Sequence, residues 1–229
     1  MENTFDNSAE EKWLMDKWGM FGASDMHKLL AKGVGTNMFG VGAMTHIKKI
    51  ARQAYTLFNT QDNAETYAMK MGKILEPQSF AHVYRLLGVT DIEYYGSASP
   101  IFIRHQKEFN KDAGCSPDAL YKKEDKVIFG IELKNPNGDT HWDYLSEISN
   151  QKDLEKVCKD HYTQCQFSMA CTNSDLWLWC SYNEFYPDKD KALIIEVRPD
   201  ESFMENLNAR VSAAIIKKYE LIEERKNKN

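Results

Sequence analysis

No apolar run in the sequence approaches the roughly 20 residues that a membrane-spanning helix needs, so no membrane association is expected. The acidic N-terminal stretch, "MENTFDNSAEE", lacks the basic and apolar regions of a secretory signal. Cysteine is scarce, five residues with no CxxC pair, which argues against a disulfide framework and fits a reducing compartment. Positive charge is not in excess either, the formal net charge being −5. That excludes a protein coated in basic surface but not one that binds nucleic acid, because binding needs a local positive groove rather than a positive total. No internal repeat is visible, so a solenoid is not expected. These absences lead to the expectation of a soluble cytoplasmic protein.

What is present is enough for one sizeable core: 229 residues, 42% of them apolar, give a single domain as the expected organisation over 1–229. The first 90 or so residues read as helical. "AEEKWLMDKW" patterns as a short amphipathic helix, and "GASDMHKLLAKG" as another with Ser24 at its start and Gly33 just past its end. From about Ala43 to Phe58, apolar residues recur at helical spacing while Lys48, Lys49 and Arg52 fall to the flanks or the far side. "ETYAMKMGKILEPQSFAHVYRLLG" continues the helical pattern with an interruption at Pro77. Strand-like runs follow at "TDIEYYG", "SPIFIRH", "CSPDALY" and "KVIFGIELK". After a polar loop, "EKVCKDHYTQCQFSMAC" returns to helix, "DLWLWCSYNE" and "KALIIEV" form a hairpin around "YPDKDK", and a last helix covers about Glu201 to Arg225. The basic end over 224–229, "ERKNKN", reads as a frayed tail. The order is that of an α/β or α+β fold, with the sheet and its helices over about 91–225.

Chemistry concentrates in "CSPDALYKKEDKVIFGIELKN", Cys115 to Asn135. The apolar run over 127–133 is a strand bounded by the turn-forming "KKEDK" and "NPNG", and alternation puts Glu132 and Lys134 on one face with Ile131 and Leu133 on the other. A hairpin would bring Asp118 beside Glu132, and paired carboxylates are the ligands that a hard divalent ion such as Mg²⁺ prefers. An ion held there lowers the pKa of a bound water, and Lys134 could orient that water, or take its proton if burial depresses the ammonium. Taken alone, the three residues fit a cross-strand ion pair with a turn aspartate equally well.

The wider pattern resembles the PD-(D/E)xK nucleases, and within them the phage lambda exonuclease family, or YqaJ-type viral recombinases. The resemblance runs through "KWGMFGASD" at 17–25, "GKILEP" at 72–77, "CSPDAL" at 115–120, "GIELKNP" at 130–136 and "HYTQCQFSM" at 161–169. It implies a restriction-endonuclease-like core with a central mixed β-sheet flanked by helices. It implies Asp118, Glu132 and the Leu133 carbonyl as metal ligands, Lys134 as the catalytic lysine, Glu76 as the helical acid near the metal, and Gln164 as the glutamine that helps hold the site. Where the family pattern has an aromatic three residues before that glutamine, this chain has His161. The resemblance also implies a pocket for a DNA 5′ phosphate formed by Ser24, Ser116 and Lys17, the last replacing a usual arginine and its bidentate fork. Ser24 read from local pattern alone is a helix cap.

Further implications are a Mg²⁺-dependent 5′–3′ exonuclease, with Mn²⁺ as a substitute, acting on double-stranded DNA ends. The protein would be a homotrimer, phage- or prophage-encoded in a bacterial host, and would work with a single-strand annealing protein. Lys48, Lys49, Arg52, Lys70 and Lys73 are the expected contacts to DNA backbone phosphates. Two alternatives stand beside this reading. One is a RecB-like or CRISPR-associated nuclease of other polarity with an iron–sulfur cluster, and the gaps between Cys158, Cys165, Cys171 and Cys180 do not match compact cluster runs. The other is a DNA-end-binding module without turnover, which would be expected to lack one of Glu76, Asp118, Glu132 or Lys134.

Overall fold

The computed structural model describes residues 7–35, 37–58, 67–97 and 99–228. In chain order its elements begin α1 (Asn7–Asp16), β1 (Phe21–Gly22), a 3-10 helix (Ala23–Leu30), α2 (Val41–Tyr55) and α3 (Tyr67–Leu87). The strands β2 (Ile92–Tyr94), β3 (Ile103–Arg104), β4 (Ala113–Cys115), β5 (Ala119–Lys123) and β6 (Lys126–Lys134) follow. Then come α4 (Gly138–Glu147), α5 (Gln151–Val157), α6 (Lys159–Thr172), β7 (Trp177–Tyr182), β8 (Ala192–Val197) and α7 (Glu201–Lys226).

Five strands form the main sheet in the order β2-β5-β6-β7-β8, and β1-β4-β3 form a small second one. Strand β6 is central: it runs antiparallel to β5 with Ala119 opposite Ile131, and parallel to β7 with Glu132 opposite Trp179. The sheet is therefore mixed and carries helices on both faces, as the resemblance implied. The turn between β5 and β6 places Glu124 and Asp125 at φ of 49° and 60°, the left-handed pair of a tight hairpin, so the "KKEDK" turn is of the type whose twist matches the strands.

Alternation along β6 sorts its residues between two cores. Phe129, Ile131 and Leu133 pack with Leu178, Cys180 and Val83 of α3. The opposite face carries Gly130 and Glu132, and there Trp177 and Trp179 join the large cluster built with α6. Gly130 is required by that packing, since a β-carbon there would lie 2.2 Å from the Trp177 ring.

Several expectations need correction. "GASDMHKLL" is a 3-10 helix rather than an α-helix, and its buried residues Ala23, Met26 and Leu29 recur every third position, the spacing at which 3-10 side chains align. Its N-cap is Gly22, so Ser24 lies inside the first turn and is not the cap. Pro77 does not interrupt α3. The carbonyl that proline leaves without its helical donor, that of Lys73, accepts from the Ser97 hydroxyl at 3.4 Å. The expected polar loop contains α4 and α5, each started by an asparagine: Asn137 accepts from the Thr140 amide, and Asn150 from those of Lys152 and Asp153. The helix expected from Glu155 onward is broken at Cys158, where α5 ends and α6 begins. In "SPIFIRH" only Ile103–Arg104 is strand. The last helix extends through Lys226, into the stretch read as a tail. Glu65 and Thr66 of the third helical pattern and the final Asn229 lie outside the described residues.

Candidate active site

The hairpin and α6 assemble the acidic centre. Asp118 immediately precedes β5; its amide donates to the Ile131 carbonyl at 3.3 Å, and its Oδ2 accepts from the Leu133 amide at 2.6 Å. That places it beside Glu132, which is 3% exposed. The Lys134 ammonium donates to Glu132 Oε1 at 2.6 Å and to Gln164 Oε1 of α6 at 3.2 Å. Glu76 approaches from α3, its Oε1 accepting from the Tyr94 hydroxyl at 3.1 Å. The two glutamines of "TQCQFS" divide their work. Gln164 reaches Lys134, while Gln166 donates to the Arg198 carbonyl at 2.7 Å and accepts from the Asp200 amide at 3.0 Å, fixing the link between β8 and α7.

Electrostatics follow from this crowding. Burial, then the negative charges of Glu132 and Glu76, push the Asp118 carboxyl well above the usual aspartate range. Burial and the Glu132 charge likewise raise Glu76, against the opposing Tyr94 hydrogen bond. Burial alone would depress Lys134, but Glu132 and Asp118 together outweigh it and hold the ammonium above its ordinary value. The ammonium is therefore not depressed in the chain without a bound cation, which is the condition on which its taking a proton depended.

Glu132 Oε2 is buried without a hydrogen-bond partner. An orphaned carboxylate oxygen beside the Asp118 carboxyl, with one ammonium paired to Glu132, is a donor set that a hard divalent cation fits. Among the described residues no three His, Cys, Asp or Glu side chains are grouped to hold an ion by themselves. Two carboxylates and a backbone carbonyl suit a cation that keeps several waters, as Mg²⁺ does. The five cysteines are all buried, and among the described residues no three of them are grouped.

A pH dependence follows with a definite sign. Because Asp118 and Glu76 hold protons at pH values where ordinary carboxyls have lost them, proton binding favours the folded chain. Without a cation the chain should lose stability as pH rises from the ordinary carboxylate range through those raised values. A divalent cation competes with the protons, so Mg²⁺ should raise Tm more at alkaline than at mildly acidic pH. Thermal melts with and without Mg²⁺ at the two pH values check this; an equal Mg²⁺ effect at both would contradict it.

A cavity of about 160 Å³ lies next to this centre, lined among others by Lys17, Ser24, His46, Lys49, Ser116 and Gln164. It thus gathers the three residues assigned to a phosphate pocket. Ser116 also borders the smaller depression containing Glu76 and Asp118, so the cavity and the acidic centre adjoin through Ser116 on one side and Gln164 on the other. The Ser116 hydroxyl accepts from Trp13 Nε1 at 2.7 Å, and the Lys17 ammonium sits 3.4 Å from the centroid of the Trp13 ring. Burial, more than the neighbouring Lys49 and Lys73 charges, lowers the Lys17 pKa to about 8.

The basic residues of α2 split between two sides. Lys49 lines the cavity, whereas Lys48 and Arg52 border a groove shared with Leu221, Ile222 and Arg225 of α7. On α3, Lys70 is exposed, and Lys73 pairs with Glu10 of α1 at 2.7 Å beside Glu76. His161 packs against Tyr144 and Trp179, and burial lowers its pKa to about 4, leaving a neutral ring near Lys134. Sequence reasoning missed Trp13, Tyr94 and His46. Only Trp13 left a readable signal, being four residues before Lys17 at the end of a helix.

A family profile described as a YqaJ-like viral recombinase domain matches residues 12–175. No curated protein matches the chain significantly. Among solved structures, LHK-Exo, an alkaline exonuclease from Laribacter hongkongensis, superimposes in complex with dAMP at a TM-score of 0.77 with 23% identity, covering 95% of this chain and 97% of that one. A phage related exonuclease from Haemophilus somnus 129PT superimposes at 0.65 with 14% identity, over 90% of this chain and 96% of that one. At these identities the likeness establishes a shared fold, while the profile spans Lys17, the acidic centre and Gln164 alike. The chain belongs to the YqaJ-like viral recombinase domain family.

Proposed function

We propose that this chain is a Mg²⁺-dependent exonuclease that digests double-stranded DNA from the 5′ end and leaves a 3′ single strand for recombination by strand annealing. The observation that carries the reading is the adjacency of the Asp118–Glu132–Lys134 centre to a cavity lined by Lys17, Ser24 and Ser116. Family membership and two neighbours named as exonucleases support it. The 5′ polarity rests on the family resemblance.

In this account Asp118, Glu132 and the Leu133 carbonyl hold Mg²⁺, or Mn²⁺ in its place. The ion would supply charge to the scissile phosphate and make an attacking water more acidic. Leu133 N–H fixes one Asp118 oxygen, so the carboxylate presents a defined orientation. Glu132 and Gln164 hold the Lys134 ammonium, which neutralises charge developing on the phosphate. Glu76, held by Tyr94, adds a third carboxyl beside them. Ser24, Ser116 and Lys17 take the terminal phosphate, and Lys48, Lys49, Arg52, Lys70 and Lys73 meet backbone phosphates without reading bases.

Paired digestion of identical duplexes bearing a 5′ phosphate or a 5′ hydroxyl tests the terminal pocket. The phosphorylated end should be preferred by about tenfold, the loss of one hydrogen bond to a charged group. Equal rates on both ends would remove the pocket. The assembly that goes with this reading is a homotrimeric ring around duplex DNA, working with a single-strand annealing protein in the cytoplasm of a phage-carrying bacterial host. A ring would gather basic helices around DNA while the outside stays negative. Light scattering reads it directly: three chains per particle is expected, and a monomer at every concentration contradicts it. Among the described residues no helix is long and apolar enough to cross a membrane.

A further inference from the structure

Helix α2 contributes to the cavity beside the acidic centre a residue that no motif marked. The His46 ring lines that cavity together with Lys17, Ser24, Lys49 and Ser116. It is 6% exposed, and its Nε2 is buried with no hydrogen-bond partner. One face of its surroundings is spoken for, since the ring meets Phe21 edge-on at 5.6 Å between centroids. A buried imidazole nitrogen that nothing satisfies is costly, and in a cavity walled by hydroxyls and ammonium groups the missing partner has a definable chemistry. Asp25 lies in the same wall with its Oδ1 paired to Lys28 at 2.5 Å, and no hydrogen bond joins it to His46 Nε2.

We propose that His46 donates a hydrogen bond from Nε2 to the terminal 5′ phosphate monoester of the DNA, and so sets preference for a phosphorylated end. The inference rests on the pocket reading above and extends it. Where relatives of the resembled family place an arginine fork, this chain has the single ammonium of Lys17, which binds as a point charge. An imidazole N–H supplies the directed donor that a lysine lacks, and Lys49 on the next turn of α2 adds a second cation. The ring acts as a neutral donor: burial, then the Lys28, Lys49 and His27 charges, lower its pKa to about 4 against the opposing charge of Asp25. The contribution of His46 should therefore not disappear as pH rises through neutrality.

The test compares digestion of 5′-phosphate and 5′-hydroxyl duplexes by the original chain, His46→Leu, His46→Gln and Ser24→Ala. In His46→Leu the ratio of kcat/KM on the two ends should fall by about tenfold, the loss of one hydrogen bond to a charged group, with partial recovery in His46→Gln, whose amide is again a donor. A ratio in His46→Leu equal to the original, while Ser24→Ala lowers it, overturns the role of His46 and leaves the pocket standing. No end preference in the original chain overturns both. Should His46→Leu fail to fold, ¹⁵N shifts of the His46 ring during titration of the original chain decide the matter. Inorganic phosphate and a 5′-phosphorylated duplex, both in EDTA, are the probes. Movement of Nε2 with the duplex at lower concentration than with free phosphate supports the proposal; movement with neither, or with free phosphate alone, overturns it.

Discussion

Replacing Asp118 or Glu132 by alanine should abolish DNA cleavage while leaving the chain folded, and Lys134→Ala should slow it by about 10²-fold or more. The two carboxylates and the lysine act as one cluster, so the losses will not add. Removing Glu132 strips Lys134 of its 2.6 Å partner and removes the orphaned oxygen offered to a cation. Removing Asp118 releases the Leu133 amide and one of the crowded charges, and by relieving repulsion it could stabilise the cation-free fold even as it eliminates turnover. Lys134→Ala leaves both carboxylates in place, so cation binding should persist while the rate falls. Single-turnover digestion at saturating Mg²⁺, with calorimetric titration of the cation, separates the two effects. An undiminished rate in Lys134→Ala would remove the lysine from the chemistry.

The second large effect is on stability, far from any cleavage. Lys218 of α7 is 2% exposed and pairs with Asp112, which also accepts from the Tyr219 hydroxyl at 2.9 Å. The same ammonium donates to the Gly19 carbonyl at 3.2 Å. The Asp112 backbone carbonyl in turn accepts from the Phe21 amide at 2.8 Å, so this pair joins the last helix to the strand that leads into the cavity beside the acidic centre. Asp112→Ala leaves an ammonium buried with one carbonyl and should cost about 3–5 kcal/mol, whereas replacing both partners by apolar residues of similar size should be close to neutral. Urea unfolding reads this as a lower midpoint at unchanged slope. A loss below about 1 kcal/mol would mean that solvent reaches the pair, since exposed pairs are worth that little.

That ion pair marks where sequence reading stops. Lys217 and Lys218 are neighbours in one helix, and no local pattern says that the first pairs on the surface with Glu220 while the second is buried against Asp112, 106 residues earlier. Arg210 is similar, donating to the carbonyls of Leu29, Ala31 and Met38. Features governed by near neighbours were legible. Alternation put Glu132 and Lys134 on one face of β6, and "KKEDK" announced the hairpin that brings Asp118 to them, whereas Gln164 was reached only through the family resemblance. Features governed by competition were not. The helix over "ASDMHKLL" obeys a three-residue period set by what it packs against, and α3 passes through Pro77 because Ser97 satisfies the carbonyl that proline abandons. Helices α4 and α5 were hidden in a polar stretch whose two asparagine caps, Asn137 and Asn150, were the available signal. His46 had no signal at all, as its place in the cavity depends on how α2 lies against Phe21.

The central claim, that the Asp118–Glu132–Lys134 cluster is the centre of a cation-dependent nuclease entering DNA at a 5′ end, meets its most direct test in one measurement. Linear duplexes labelled at the 5′ terminus or at the 3′ terminus are digested by the purified chain with Mg²⁺ and with EDTA, alongside Glu132→Ala. The account predicts immediate release of 5′ label as mononucleotide, retention of 3′ label in a long single strand, and no release with EDTA or with Glu132→Ala. Release of label in EDTA, or by Glu132→Ala, would contradict the assigned centre, and early loss of the 3′ label would contradict the polarity.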